Sequence, residues 1–487
     1  MKLKKLEITN FRCFDSLSID LDEQLTVLVA KNGQGKSSVL DALRIGLWSF
    51  VSGFDLAHTG YNDPANAISI NDVRMLRKKH DSNTHHDQSV RHNEMVRQFP
   101  CEIALQGDFD DELEGVTSLE FKQLFKTHPW KRFRNSEAKS SKTKDDSFSK
   151  MIKIVASTAQ DQVRNSDSPD IDLPVIGYYG TGRLWSQKSS TKAKSAKSRR
   201  NPDFYMRLSA YRDCLDPASS YKDFAEWFIW LFESYREEQS IRVEKGLSSE
   251  MGSLWKNAIR VIQEAIDNVL QETGWHTLEY SVSQEKSLIL SHDLYGTLKV
   301  ESLSDGIRGV LAMVGDIAYR CIKLNWHFLH EDNVLNAAKE TRGVVMIDEV
   351  DMHLHPAWQQ TILGNLIKAF PKIQFIVTTH SPQVISTVPS HQIRILADNQ
   401  VISAEAGTQG AEASRILNEV FGVELRAQNL KIVQELNRYL ELIDNDKWDT
   451  EEALSLRQAL DEWSRGNEPE LVKADIDIRM KEFQRQL

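Results

Sequence analysis

The amino-acid sequence predicts an α/β fold that carries an inserted helical lobe and ends in a helical C-terminal region. A glycine-rich loop at residues 30–37 follows an apolar run that is typical of a buried strand. Two further apolar runs, at residues 343–347 and 373–377, lead into acidic or histidine side chains. Helical patterns extend over residues 204–272 and 403–487. The sequence therefore predicts buried strands that carry polar chemistry at their ends, with helices around them.

Length, charge and cysteine content narrow the class of protein. A chain of 487 residues can bury a large core, most simply in two or more lobes. It has no run of 18 apolar residues and no signal peptide, so we expect no membrane association and a cytoplasmic location. The four cysteines are scattered, which suits a reducing compartment. The net charge of −10 argues against global electrostatic binding to nucleic acid but allows a local basic patch.

The segment Ala30–Ser37 (AKNGQGKS) has the order of a phosphate-binding loop: strand, glycine-rich turn, Lys-Ser, helix. Glycine lets the backbone curl so that several N–H groups point at anionic oxygens, and the helix start adds partial positive charge. Lys36 can reach the β and γ phosphates of a nucleotide, and the Ser37 hydroxyl can bind Mg²⁺. Ala30 replaces the usual first glycine of the motif. The candidate nucleotide-binding residues of this loop are Asn32, Gly33, Gly35, Lys36, Ser37 and Ser38.

Another strand end carries two adjacent carboxylates. The apolar run after Gly343 leads into Asp348 and Glu349, where Asp348 would hold the Mg²⁺ shell and Glu349 would polarise the attacking water. The third apolar run leads into His380, which would contact the γ-phosphate and sense its loss. The predicted catalytic residues are therefore Glu349 and His380, and the predicted metal-binding residues are Ser37 and Asp348.

The turn Ser302–Gly306 (SLSDG) precedes a predicted helix, and a helix start of this kind can hold an anion. It lies between the phosphate loop and the acidic pair in the chain, and it resembles the signature of ABC-type ATPases. The resemblance implies an ABC-type P-loop ATPase head with ATP and Mg²⁺ as ligands. It also implies that Ser304, Asp305 and Gly306 reach the γ-phosphate held by another protomer, so that a dimer of heads is the smallest functional unit.

Two shorter stretches make the resemblance more specific. The sequence Asn10–Arg12 (NFR) before the phosphate loop is similar to the start of the RecF, Rad50 and OLD group, which implies that Arg12 lies near the nucleotide. A solvated turn is an equal alternative for Arg12. The stretches Leu354–Pro356 (LHP) and Thr379–Pro382 (THSP) resemble OLD-type and Septu-type defence ATPases. In the dimer-contact loop His355 stands where many ABC proteins have Asp, and either Asp351 or His355 is the candidate replacement.

The head is predicted in two parts that flank a helical lobe. Its first part contains an insertion at about 51–98 that includes His80, His85, His86 and His92, and we interpret it as a polar surface segment and not as a metal site. It also contains two lysine- and serine-rich tracts, 130–150 and 186–200, which are predicted to be flexible. The second tract has six basic residues and no acid between 187 and 200, and both phosphate binding and simple solvation remain open.

The predicted domains are 1–203 and 273–402 for the head, 204–272 for the helical lobe and 403–487 for the helical C-terminal region.

Over most of the chain the resemblance is to the PtuA family of Septu ATPases and its retron-linked relatives. It implies an ATP-binding and ATP-hydrolysing sensor and regulatory subunit of an anti-phage complex, which controls a separate HNH-type, PtuB-like nuclease. Nucleic acid and retron components are further candidate partners, and the heads would form a dimer or a higher homo-oligomer. The alternatives are a RecF-like DNA-repair clamp and a self-contained OLD-like nuclease. Against the nuclease, Asp475 and Asp477 lie in a predicted helix, where residues two apart point about 200° apart.

Overall fold

The computed structural model describes residues 1–58, 64–77, 95–109, 113, 115–138, 141–165, 167–184, 202–217, 221–247, 252–329 and 336–485. The chain divides into two compact units, Met1–Ala413 and Ser414–Leu487. Four histidines of the insertion (His80, His85, His86 and His92) and the basic tract 187–200 lie outside the described residues. None of the described helices is long and apolar enough to cross a membrane.

The regular elements follow in chain order. The strands of the described residues are β1 (Lys2–Phe11), β2 (Phe14–Asp20), β3 (Leu25–Ala30), β4 (Met75–Arg77), β5 (Met95–Arg97), β6 (Cys101–Asp108), β7 (Trp130–Arg134), β8 (Lys144–Asp145), β9 (Val175–Tyr179), β10 (Trp275–Ser281), β11 (Ser287–His292), β12 (Gly296–Lys299), β13 (Gly343–Ile347), β14 (Ile373–Thr378), β15 (Ile393–Ala397) and β16 (Gln400–Ser403). The helices are α1 (Lys36–Val51), α2 (Leu119–Thr127), α3 (Ser147–Arg164), α4 (Tyr221–Glu244), α5 (Leu254–Leu270), α6 (Asp305–Leu324), α7 (Ala337–Glu340), α8 (Pro356–Gln359), α9 (Ile362–Ala369), α10 (Pro382–Ile385), α11 (Ala413–Glu419), α12 (Lys431–Asp444), α13 (Glu451–Ser464) and α14 (Pro469–Arg485).

The core of the first unit is a six-stranded sheet in the order β16-β15-β3-β14-β13-β9. Its strands pair in parallel except β16, which is antiparallel to β15. The strands β3, β13 and β14 are buried at every position, as expected for parallel strands covered on both faces. Because the carboxyl ends of parallel strands meet at one edge of a sheet, the segments after these three strands come together there. The α/β prediction is confirmed.

A second, antiparallel sheet in the order β2-β1-β6-β7-β8 packs on the other side of α1. The indole of Trp130 on β7 donates a hydrogen bond of 3.0 Å to the carbonyl of Gly46 in α1. The Gln374 side chain on β14 joins the two sheets, because its amide exchanges two hydrogen bonds of 2.7 Å with the backbone of Leu3. The helix that follows the phosphate loop is therefore buried between two sheets, which holds its first turn in place.

The prediction of a flexible tract at 130–150 was wrong. This segment forms β7, β8 and the start of α3. Basic composition does not mean solvation here, because Arg132 is buried and donates to Asp145 at 2.7 Å, to the Ile45 carbonyl at 2.8 Å and to the Asn66 carbonyl at 2.7 Å. A buried guanidinium that has a carboxylate and two carbonyls as acceptors is compatible with a sheet, whereas composition alone suggests solvation.

The chain also stays in the core beyond residue 51, where the sequence suggests a polar insertion. Phe54 is fully buried, and its ring stacks on Tyr211 with centroids 4.2 Å apart. Ile68 and Val73 are buried as well. The polar character of this region is an average over buried and surface residues, and the buried ones anchor the segment.

A helical lobe packs against one side of the head. In α5 the residues Ala258, Ile262 and Ile266 recur every four positions and form an apolar stripe, and all three are buried. This helix lies against α4 and α6 and against the small sheet β10-β11-β12. On α6, Asp316 accepts hydrogen bonds from Arg320 and from the Tyr179 hydroxyl of β9, at 2.8 and 2.7 Å. A fully buried ionic network thus joins this helix to the central sheet.

The C-terminal unit is helical, as the sequence predicts. Its apolar core includes Leu436 and Tyr439 of α12, Leu460 of α13 and Leu471 of α14. Helices α12 and α14 also contact each other directly. Separate apolar side chains on three helices meet in this core, so the unit has its own hydrophobic interior.

Candidate nucleotide-binding site

The segment between β3 and α1 forms a tight loop at the carboxyl edge of the central sheet. Gly33 and Gly35 both have left-handed backbone conformations, with φ of 83° and 95°. A Cβ atom on Gly35 would lie 2.4 Å from Cζ of Phe14, so a larger residue would also collide. Asn32, Gly33 and Ser37 are exposed and Ser38 is half-buried. The loop therefore needs its second glycine and presents its rim to solvent.

Lys36 begins α1 and lies beneath the loop. It is 8% exposed, and its Nζ donates to the Ala30 carbonyl at 3.1 Å. Burial lowers the pKa of Lys36, while the carboxylates of Asp348, Glu349 and Asp351 oppose that change. The three carboxylates and this ammonium group therefore share one electrostatic environment.

Ser37 and Asp348 are 311 residues apart in the chain, and their side chains are hydrogen-bonded. Ser37 Oγ donates to Asp348 Oδ2 at 2.9 Å, and Thr378 Oγ1 donates to Asp348 Oδ1 at 2.6 Å. The Asp348 backbone N–H donates to the Tyr179 carbonyl at 2.8 Å. Hydroxyl and carboxylate oxygens are the donors that Mg²⁺ prefers, so this donor set fits Mg²⁺.

Glu349 follows Asp348 and leaves the strand in a strained conformation. Its φ is 48°, in the left-handed region that non-glycine residues rarely adopt. Its backbone N–H donates to Thr378 Oγ1 at 2.8 Å, and the residue is half-buried. Strain of this kind persists only where the surroundings enforce it, and it concentrates at functional sites. The carboxylate is thereby placed at the sheet edge beside Asp348.

His380 lies just beyond β14, half-buried, between the loop strand and the acidic strand. Burial lowers its pKa, and the positive charge of Lys36 lowers it further. The neutral imidazole is therefore favoured in this position, and it can still donate or accept one hydrogen bond. The flanking Thr379 donates to Asp351 at 2.6 Å, and Ser381 donates to Gln359 at 2.7 Å.

Arg12 lies at the turn between β1 and β2, with a φ of 52°. Its guanidinium pairs with Asp41 of α1 at 2.6 Å and with Asp72 at 2.9 Å. The contact with Asp41 attaches this turn to the helix that begins at the phosphate loop. A nucleotide contact by Arg12 stays a prediction.

The signature-like turn lies against the loop that follows Glu349. Ser304 is exposed at the start of α6, and its side chain makes no capping hydrogen bond. A Cβ on Gly306 would lie 2.3 Å from the His353 carbonyl, so the turn and this loop touch through their backbones. Among the described contacts of Ser304 and Asp305, none reaches Lys36 or Ser37. The described hydrogen bonds and ion pairs therefore do not connect this turn to Lys36 or Ser37 of its own chain.

The two candidate replacements in the dimer-contact loop differ in their surroundings. Asp351 accepts the Thr379 hydroxyl and is held inside the site. His355 is exposed, and its Nδ1 accepts from the Ala357 N–H at 3.3 Å at the start of α8. His355 is therefore the more accessible of the two.

Sequence reasoning missed Thr378 as part of this site. Its hydroxyl connects the Asp348 side chain to the Glu349 backbone, and the residue is fully buried. The available signal was the pair of threonines that ends an otherwise apolar strand just before His380. A polar residue at a buried strand end requires a partner, and here the partner is the neighbouring acidic strand.

A phosphate loop after β3 and an acidic strand end after β13, with His380 after the intervening β14, define an ABC-type P-loop ATPase head. The predicted fold class is confirmed: this head carries an inserted helical lobe and a helical C-terminal tail. The chain matches the family described as AAA ATPase domain over residues 1–385 and belongs to it. It is an ATPase of that family and binds nucleotide.

The chain is similar to several named relatives. The retron Ec83 probable ATPase of Escherichia coli is 26% identical over 99% of this chain and 87% of its own length. The retron Vc95 probable ATPase of Vibrio cholerae serotype O1 biovar El Tor is 25% identical over 81% of this chain and 73% of its own length. The Septu protein PtuA of Bacillus thuringiensis is 25% identical over 42% of this chain and 48% of its own length. The predicted resemblance to PtuA is confirmed.

Among solved structures, an Smc head domain from Pyrococcus furiosus covers 83% of this chain and 96% of its own length. That structure has an extended coiled coil and is bound to the C-terminal domain of ScpA. It aligns with a TM-score of 0.44 and 15% sequence identity.

We expect Lys36→Ala to weaken ATP binding by at least about tenfold and to leave the fold intact. The substitution removes a charge-assisted hydrogen bond to the phosphates, and each such bond contributes about 1.5–3 kcal/mol. Calorimetric titration with ATP measures the effect. Lys368→Ala, which removes an exposed lysine of α9, is the matched control and should bind as the unaltered chain does. Equal affinities for both variants would show that the loop is not the site.

Proposed function

We propose that this chain is the ATP-sensing and regulatory subunit of an anti-phage defence complex and that it controls a separate nuclease. The observation that carries the proposal is the hydrogen bond between Ser37 and Asp348, because it unites a phosphate loop with an acidic strand end. Similarity to retron ATPases along nearly the whole chain, and to Septu PtuA over part of it, supports the defence context. A retron-linked complex and a Septu complex with a PtuB-like HNH nuclease are both compatible with these relatives.

In the proposed reaction the residues of the loop bind and orient the nucleotide. Backbone N–H groups around Gly33 and Gly35 face the phosphates, and the Lys36 ammonium exchanges its contact with the Ala30 carbonyl for phosphate oxygens. Ser37 and Asp348 would hold Mg²⁺, which neutralises charge on the β and γ phosphates.

The acidic strand end and the following strand act on water and on the γ-phosphate. Glu349 accepts a proton from the attacking water as the water oxygen bonds to the γ-phosphorus, while the bond from that phosphorus to the bridging oxygen breaks and ADP leaves. Neutral His380 donates a hydrogen bond to the γ-phosphate and loses that contact when the phosphate is released. This makes His380 a sensor of the nucleotide state. The Thr378 hydroxyl holds Asp348 and Glu349 in place, because it donates to the Asp348 side chain and accepts the backbone N–H of Glu349.

We place each ATP between the phosphate loop of one copy and Ser304 of a second copy. Exposure of Ser304 at the start of α6, where its side chain makes no capping hydrogen bond, supports this arrangement. The close backbone contact between Gly306 and His353 would carry a change at one site to the loop after Glu349. The functional unit is then a dimer of heads or a larger homo-oligomer.

The C-terminal unit supports the assignment of cleavage to another polypeptide. Asp475 lies in α14 and accepts two hydrogen bonds from Arg457. Asp477 is exposed, and the helix turns the two side chains to different sides. The tail also holds Asp444 and Asp446 at the end of α12, but Asp446 pairs with Lys481 at 2.8 Å. Asp475 and Asp446 thus take part in ion pairs within the unit, which supports the proposal that cleavage belongs to another polypeptide.

The purified chain should hydrolyse ATP and leave plasmid DNA and tRNA uncut in the presence of Mg²⁺ or Mn²⁺. Cleavage should appear when an HNH-type nuclease encoded beside the gene is added, and it should change with the Lys36→Ala substitution. Gel analysis of the nucleic acids and phosphate release provide the two readouts. Cleavage by the chain alone that persists through purification and disappears in Asp475→Ala/Asp477→Ala would favour the self-contained nuclease and overturn the proposal.

A further inference from the structure

A cleft of about 490 Å³ in the helical lobe is walled by aromatic rings. Four of the 11 tryptophans of the chain meet there: Trp227 and Trp230 from α4, Trp255 from α5 and Trp326 just beyond α6. Tyr205 joins them and is 56% exposed. The volume is in the range of small-molecule sites. We call this the tryptophan cleft, and none of its lining residues belongs to the candidate nucleotide site.

The indole rings present open surface and unused donors. Trp230 and Trp255 meet edge to face with centroids 5.0 Å apart, and Trp255 and Trp326 are 5.5 Å apart and tilted. These three rings are half-buried. None of the four indole N–H groups donates a hydrogen bond to a described residue, although buried tryptophans usually find such a partner. A flat ligand with hydrogen-bond acceptors would stack on an indole ring and accept hydrogen bonds from the indole N–H groups.

The charged residues that line the tryptophan cleft determine which flat ligands it can bind. Lys323 and Arg207 line the cleft. Lys323 Nζ donates to the Phe204 carbonyl at 2.7 Å, whereas the Arg207 guanidinium donates to the Leu324 and Ile171 carbonyls and lies 3.5 Å from Asp170. Burial lowers the pKa of Lys323 to about 7, so an anion beside it would favour its charged form. Glu238, the acidic lining residue, accepts from Arg242 at 2.7 Å. The wall is therefore suited to an anion and unsuited to the cations that aromatic cages often bind.

We propose that the tryptophan cleft binds an unpaired nucleobase together with its phosphate. The base would stack on the ring of Trp230 and meet Trp255 edge to face, because the planes of the two rings are 84° apart. The indole N–H groups would donate to its acceptors, and Lys323 would exchange the Phe204 carbonyl for the phosphate. Stacking of this kind requires a base that is not in a duplex and tolerates any base identity. The source is a single-stranded nucleic acid or a free nucleotide. This binding function is separate from ATP hydrolysis.

The test measures binding of a fluorescein-labelled 20-nucleotide oligothymidylate to the full chain by anisotropy, without ATP and at several salt concentrations. Trp230→Ala should weaken binding by about 5- to 150-fold, which is the range for loss of one base–aromatic stack. The slope of log K against log salt should stay unchanged, because the substitution removes no phosphate contact. Trp230→Phe keeps a ring and should retain most of the affinity. Trp463→Ala, at an exposed tryptophan of the C-terminal unit, is the matched control.

A parallel titration with adenosine monophosphate in the Lys36→Ala chain, followed by tryptophan fluorescence, separates the two sources. Binding of the oligonucleotide identifies a single strand, and binding of the mononucleotide alone identifies a free nucleotide. Equal affinity of Trp230→Ala and the unaltered chain, equal losses in the alanine and phenylalanine variants, or no binding of either probe would overturn the proposal. Since ATP is absent from the oligonucleotide assay, such a failure leaves the proposed ATPase function standing.

Discussion

Glu349→Gln should slow single-turnover ATP hydrolysis by about 10²–10⁴-fold and leave ATP bound, because loss of a general base typically costs that much. The amide has nearly the shape of the carboxylate but cannot accept the proton of the attacking water. The contact that fixes the residue is its backbone N–H to Thr378, which the substitution retains. Lys36, Ser37 and Asp348 are unchanged, so the phosphates keep their partners. Single-turnover assays with labelled ATP, together with an ATP titration, measure both parts of the expectation.

The comparison with Lys36→Ala makes the role of Glu349 specific. The lysine variant should lose binding, whereas the glutamine variant should lose only the chemical step. If ATP is trapped between two heads, the glutamine variant should also form a stable dimer with ATP in light scattering, and an added Ser304→Arg substitution should prevent it. A glutamine variant that hydrolyses ATP at the normal rate would falsify the general-base assignment.

Asp316→Ala should lower the free energy of unfolding of the first unit by about 3–5 kcal/mol, the cost of removing one partner of a buried ion pair. Asp316 is 2% exposed and accepts from both Arg320 and the Tyr179 hydroxyl. Burial alone would lower the pKa of Arg320, but the adjacent carboxylate holds it well above its usual range. Without Asp316 this buried guanidinium loses its carboxylate hydrogen-bond partner on α6 and retains neutral acceptors such as the Arg212 carbonyl at 3.1 Å. Urea unfolding followed by tryptophan fluorescence measures the change.

Two further variants separate the buried charge from the general effect of a substitution. Replacing both ionic partners, as Asp316→Leu/Arg320→Met, should destabilise the chain less than Asp316→Ala does, because no unpaired charge is left in the interior. Lys5→Ala removes the exposed ion pair with Glu7 and should change the free energy of unfolding by at most about 1 kcal/mol. An Asp316→Ala variant as stable as Lys5→Ala would show that the network contributes little.

The buried network of Asp316, Arg320 and Tyr179 is also linked by hydrogen bonds to the candidate nucleotide-binding site. Tyr179 donates its hydroxyl to Asp316 on α6, and its carbonyl accepts the backbone N–H of Asp348. The helix that begins at the signature-like turn is therefore tied to the strand end that carries the acidic pair. Loss of Asp316 should accordingly affect hydrolysis as well as stability.

Local patterns were sufficient for much of the fold. A parallel strand that is covered on both faces is predominantly apolar, so β3, β13 and β14 are visible in the sequence without any knowledge of their neighbours, although Thr26 lies in β3 and Gln374 and Thr378 lie in β14. The phosphate loop is equally local, because its glycines, lysine and serine all lie in one segment of eight residues. The stripe on α5 follows from helical periodicity alone.

Averages over composition were less reliable than periodic patterns. The tract 130–150 is basic and serine-rich, but Arg132 is buried among a carboxylate and two backbone carbonyls that lie up to 87 residues away in the chain. A sequence records the charge of a side chain and not the acceptors that will surround it. Whether such a residue is solvated or buried is therefore decided by distant partners.

By itself, the sequence determined the phosphate loop, the acidic pair, the strand that leads into His380 and the α/β class, because each depends on interactions within one short segment. Only the tertiary structure decided that Ser37 meets Asp348, that Thr378 connects the acidic pair, and that tryptophans from separate helices face one cleft. Those contacts join residues that are far apart in the chain, and they form only when parallel strands align their ends and helices pack side by side. The physical reason is that spacing along a chain encodes local periodicity, whereas proximity across a fold depends on the packing of the whole core.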